Sequence, residues 1–182
     1  MRRTRCTVTI ALGVLACAGC GGAHHKAPTT PPKLAQAEKT HEYPSPPPPP
    51  ETGTGGTGTA ARAVRAFATA YINWTAATIA RDMASLAAQS VGQARSAMTL
   101  AAAETADDYE LQRGGIANHG TVEAVAPLPR KPGQYVVVTL ESTSATNTTA
   151  YQGLRPAWHV ALATVTEQQP GQWVVSAWQP EN

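Results

Sequence analysis

The chain has 182 residues, 42% of them hydrophobic but only 5% aromatic, and a formal charge of +2. That length holds one ordinary domain with appendages. With Arg2, Arg3 and Arg5 set aside as a leader, 11 Lys and Arg face 12 Asp and Glu, so no basic footprint for nucleic acid remains. Cys6, Cys17 and Cys20 all lie in the first twenty residues, which leaves the rest without a thiol for a disulfide, a metal or nucleophilic catalysis.

Residues 1–19 read as a signal peptide: three arginines, then an apolar run from Val8 to Ala18 that is shorter than the roughly 20 residues a bilayer span needs. The ending Ala18-Gly19-Cys20-Gly21 resembles a bacterial lipoprotein signal, in which a small pair precedes the cysteine that is lipidated. Cys20 is therefore the expected lipidation site, although Cys17 stands where such signals carry Leu or Val. Cleavage around Cys17 is a poorer alternative, because bulky Leu15 sits where a small residue is preferred, and simple secretion is the other. More than one acyl chain gives stable anchoring, so the expected location is the outer face of the cell membrane.

Residues 20–58 lack apolar periodicity and are expected to be a disordered linker. Nine of the fifteen prolines fall between Pro28 and Pro50; the last five form a stiff spacer, and the Gly/Thr stretch after them reads as a swivel. Three features of this segment carry no function. The proline run is a spacer before it is a ligand. His24, His25 and His41 lack a framework for a metal. The glycines of residues 53–58 follow no strand and lack the lysine of a phosphate loop. No cofactor is implied.

The domain is expected over residues 59–182. Val64, Phe67, Tyr71, Trp74 and Thr78 recur at spacings of three and four, which predicts one helix over 59–80, capped by Thr59. Asp82 can cap a second helix that Gly92 interrupts. A further helix over 93–113 carries Ala94, Met98, Ala101, Thr105 and Tyr109 inward and stops at Arg113-Gly114-Gly115. Eighteen alanines in residues 60–106 predict close helix packing and a thin core. Asp107, Asp108 and Glu110 could serve as a base or a cation site, but the pattern reads better as a solvated face with Tyr109 turned inward.

From Ile116 the period changes to two. Strands are predicted over 120–126, 135–141, 157–166 and 172–179, with a polar loop over 142–149. In the first, Val122 and Ala124 share one face, Glu123 and Val125 the other. In the third, Trp158, Val160, Leu162 and Thr164 share a face that His159 does not. Short connections argue for an antiparallel meander. The class is α+β: two or three helices packed on a curved four-stranded antiparallel sheet.

Tyr109, His119, Glu123 and His159 are the candidates for a ligand pocket between helices and sheet, but no acid can be paired with either histidine by spacing, so no catalytic set is assigned. Trp158, Trp173 and Trp178 are candidates for a partner surface. Trp173 and Trp178 are five apart and are expected on opposite faces, one of them away from the helices.

This order of elements looks like the cone-shaped fold of the nuclear transport factor two-like superfamily. YINWTAATIARDMASLAAQSVG, GTVEAVAP, YVVVTLE and WVVSAWQPEN resemble actinobacterial exported proteins of that fold. Relatives include wall-side subunits of conjugation and type IV secretion machines. The resemblance implies a non-enzymatic binding or scaffold module with a protein partner in the cell envelope, and it brings no catalytic residues. The alternative it leaves is a small-ligand carrier or an isomerase- or dehydratase-like enzyme using the cone. A spacer without a ligand is a third possibility.

Overall fold

The computed structural model describes residues 47–181, so the leader, Cys20 and the linker up to residue 46 lie outside the described residues. Over the described residues the fold is α+β: four helices and a curled antiparallel sheet of five strands that neighbour one another in sequence order.

Helix α1 (Ala60–Ile72) begins where expected, the Thr59 hydroxyl accepting from the Arg62 amide. It ends eight residues early. Trp74 and Thr75 leave the helix to form β1 (Trp74–Thr75), paired with Asn118 and Ala117. Asn73 forces the exit: its side chain donates to Gly120 O (3.1 Å) and accepts from Gly120 N (3.1 Å), as a strand residue would. A contact across 47 residues thus overrides helix propensity.

Helix α2 (Ile79–Gln89) carries Asp82 in its first turn, with Thr78 at the cap position. Helix α3 (Gly92–Ala106) starts at the glycine expected to interrupt. Gly92 has a φ of 57°, and a Cβ there would meet Ser176 O at 3.1 Å, so the close approach needs glycine. The helix predicted over 93–113 is broken after Ala106, because Asp108 caps a new helix, α4 (Tyr109–Gly114), by accepting from the Glu110 and Leu111 amides (2.9 and 3.0 Å). The acidic cluster therefore has a structural task. Gly115, at φ 59°, supplies the expected left-handed stop.

Four long strands follow as a meander: β2 (Ile116–Pro127), β3 (Gln134–Ala145), β4 (Ala157–Gln169) and β5 (Gln172–Glu181). β3 continues through much of the polar stretch expected to be a loop. Of the three register shifts in the sheet, two reset the alternation at core positions and the third, between Glu167 and Gln169, lies beside the β4–β5 turn. Glu123 has no partner on β3, so Val122 and Val125 both pack against the core instead of facing apart. Ser176 is skipped between the pairs Thr164–Ala177 and Val165–Val175, so Trp173 and Trp178 both turn toward the helices.

The core lies between α1 and the inner sheet face, with Val64, Phe67 and Ala68 against Val137, Ala161, Ala163, Val165 and Val175. Its largest member is Trp178, 3% exposed, with ring centroids 5.2 Å from Phe67 and 5.3 Å from Tyr71. Burial pushes the Tyr71 phenol above its ordinary value of 10.0; the Trp178 indole opposes the shift, and the Glu141 charge adds to it. The indole is close enough to act on the phenol but completes no hydrogen bond to it. A raised phenol pKa stabilises the fold fully below pH 10 and is lost as pH rises through the folded-state value. Tyr71→Phe is therefore expected to blunt the loss of stability above pH 10, as read by urea melts at a series of alkaline pH values.

Residues 51–57, expected to be a swivel, form a strap along the domain. Thr54 N donates to Ala88 O (2.8 Å), Arg95 Nη2 to Thr52 O (2.6 Å) and Gly92 N to the Glu51 carboxylate (2.6 Å). Thr57 and Trp173 exchange backbone hydrogen bonds of 3.2 and 3.1 Å. The strap and the start of α3, where Val91 N meets Val175 O, cover the outer edge of β5, an edge that would otherwise invite pairing with another chain.

Candidate functional site

Across β3 and β4, three apolar pairs lie in register: Leu140 with Trp158, Val138 with Val160, Val136 with Leu162. Their phase is opposite to the buried Val137, Thr139, Ala161 and Ala163, so all six point away from the helices. Trp158 is 64% exposed and Val160 40%. Ala124 and Ala126 continue the surface on β2, while Gln179 and Glu181 border it on β5. Scattered exposed hydrophobes need no explanation, whereas a contiguous patch with a tryptophan at its edge is the kind of surface that proteins use for contact.

Sequence reading placed Trp158 and its strand-mates on one face, but gave the outward aromatic to the Trp173–Trp178 pair. Trp158 alone keeps the role. Trp178 is core, and half-buried Trp173 packs against the core while its backbone bridges to Thr57 of the strap.

The four pocket candidates are not brought together. Tyr109, expected to face inward, is 65% exposed on α4 with the Arg113 guanidinium 5.7 Å from its ring centre. His119 is exposed on the outer side of β2, where its strand phase opposes that of buried Asn118. Glu123 is exposed at the bulge and accepts from the Thr121 hydroxyl. His159 is exposed at the start of β4, opposite Thr139 on the inner face.

The polar group that sequence reading missed is Glu141. It shares the inner face with Thr139 and Asn118, and its carboxylate accepts from Asn118 Nδ2 (2.7 Å) and Thr139 Oγ1 (2.6 Å). Asn118, buried, also donates to Ile72 O (2.8 Å) and accepts from Thr143 Oγ1 (3.1 Å). The network ties the end of α1 to two strands, and every member has a partner. Strand alternation would have placed Glu141 and Thr139 on one face, but only the register with β2 adds Asn118.

A hollow of about 610 Å³ lies where the ends of α3 and α4 meet β1 and the start of β2. Alanines, Ile116 and threonine side chains line it, Gln112 being the one side-chain amide, and it contains no titratable group. Among the described residues no three His, Cys, Asp or Glu side chains gather where they could hold a metal ion.

No protein-family model matches the chain, and no curated protein matches it.

Among the described residues no helix is long and apolar enough to cross a membrane.

Proposed function

We propose that this protein is a lipoprotein anchored through Cys20 on the outer face of the cell membrane, acting by binding and not by catalysis. Its partner surface is the outer face of the sheet. The observation that carries the binding half is the trio of in-register apolar pairs ending in Trp158. The anchoring half rests on Ala18-Gly19-Cys20 behind a short apolar run. Support for a non-catalytic role comes from the dispersal of Tyr109, His119, Glu123 and His159, and from Glu141 being committed to structural donors. In this reading the helices over a curled meander are a cone of the nuclear transport factor two-like kind, and the module serves an envelope assembly such as a conjugation or secretion apparatus.

Cys20→Ser tests the anchor. The wild-type chain is expected in the membrane fraction, labelled by a fatty-acid probe; the variant should lose the label and partition into the soluble fraction. An unlabelled wild type, or a variant that keeps the label, would sink the anchoring claim.

A further inference from the structure

Two breaks that local pattern does not announce, the exit of α1 at Asn73 and the end of α3 after Ala106, shape one hollow. The residues that follow the first break, Thr75 to Ala77, and those that precede the second, Thr105 and Ala106, line the same space of about 610 Å³. Sites where distant contacts overrule local preference are where function is expected.

We propose that this hollow is a binding site for a small uncharged molecule, mostly apolar and carrying one hydrogen-bonding group. The inference goes beyond the outer-face reading and is independent of it. The volume falls within the roughly 300–1,000 Å³ of small-molecule sites. Five alanines and Ile116 make the wall largely apolar, and no titratable side chain lines it to meet an ion, so a charged ligand would lose its hydration without recompense. The polar groups are few and mostly committed. The Thr75 hydroxyl donates to that of Thr78 (3.2 Å), the Thr105 hydroxyl to Ala101 O (2.7 Å) and the Gln112 amide to Ala106 O (3.3 Å). The Gln112 side-chain oxygen and the Thr146 hydroxyl have no hydrogen-bond partner among the described residues, which leaves an acceptor and a donor for a single amine, amide or hydroxyl on the ligand. Under α1 there is no such room, because Phe67, Tyr71 and Trp178 fill it.

The test titrates the full chain carrying Cys20→Ser, free of acyl chains and of detergent that would absorb the probe, into N-phenylnaphthylamine, an uncharged fluorophore with one N–H. Saturable enhancement of emission is expected, with a dissociation constant on the order of 10–100 µM. Anilinonaphthalene sulfonate, the same skeleton with a negative charge, should bind about tenfold more weakly or worse. Ala80→Phe and Ala106→Phe, which fill the hollow from two different helices, should each weaken the uncharged probe about tenfold or more. Circular dichroism melts superimposable on wild type establish that neither acts through folding. In the chain carbon-labelled at isoleucine methyls, which needs no filling variant, the Ile116 signal should move most as the probe saturates.

No saturable binding overturns the proposal, as does an Ile116 signal that stays in place or a probe indifferent to both filling variants. Equal or tighter binding of the sulfonate overturns the ligand class. Binding lost in Trp158→Ala would put the probe on the outer sheet face and overturn the site, whereas a failure here leaves the outer-face reading standing.

Discussion

Trp178→Ala is expected to lower the unfolding free energy by about 3–5 kcal/mol, the range for deleting a large aromatic from a core that cannot collapse around the gap. The surroundings make collapse difficult. The ring is wedged against Phe67 and Tyr71, and the strand face beside it offers Ala161 and Ala163, too small to fill the space. Trp178→Phe should cost only about 1–2 kcal/mol, because it also removes an indole N–H that is buried without a partner. Urea melts followed by circular dichroism will separate the two. Equal losses would mean that the N–H finds an acceptor in solution, and a negligible loss for alanine would contradict the placement of Trp178 in the core.

The second large effect is expected at Asn118. Asn118→Leu keeps the branched outline but strips a donor from both Ile72 O and Glu141, and an acceptor from Thr143; a loss of about 2–4 kcal/mol follows from leaving buried polar groups unpaired. Asn118→Asp adds a sharper signature. It sets a second carboxylate against Glu141, which raises the folded-state pKa of the pair above its unfolded value. Stability should then be highest at acid pH and fall as pH rises through the folded-state value, and the leucine variant should show no such slope. An aspartate variant with a flat profile between pH 4 and 8 would show that the network is wetter than its geometry.

How much of this was legible in the sequence depends on how far apart the deciding residues lie. The Thr59 cap, the Gly115 stop and the alternation of β3 and β4 are set by neighbours, and they appear where local pattern puts them. Trp74 sat on a helical stripe because nothing nearby announces its pairing with Asn118. Strict alternation sends Trp173 and Trp178 to opposite faces, and one skipped residue, Ser176, reverses that. Glu123 does the same to Val125. For the surface, the outward set of Trp158, Val160 and Leu162 was readable from phase alone; which side the helices occupy was not. The role of Glu141 is invisible to local pattern because it depends on Asn118, which belongs to another strand.

The strap decides where traction enters the domain. Tension drawn through Pro48 does not reach α1 first; it meets the hydrogen bonds to Gly92, Arg95 and Ala88, then the Thr57–Trp173 bridge. These clasps would part in sequence, sparing the aromatic core while exposing the border of β5. Pulling on this end would thus bare the Trp173 stretch of an adhesive edge before it unfolds anything, and a fragment cut at residue 59 would carry that stretch uncovered from the start.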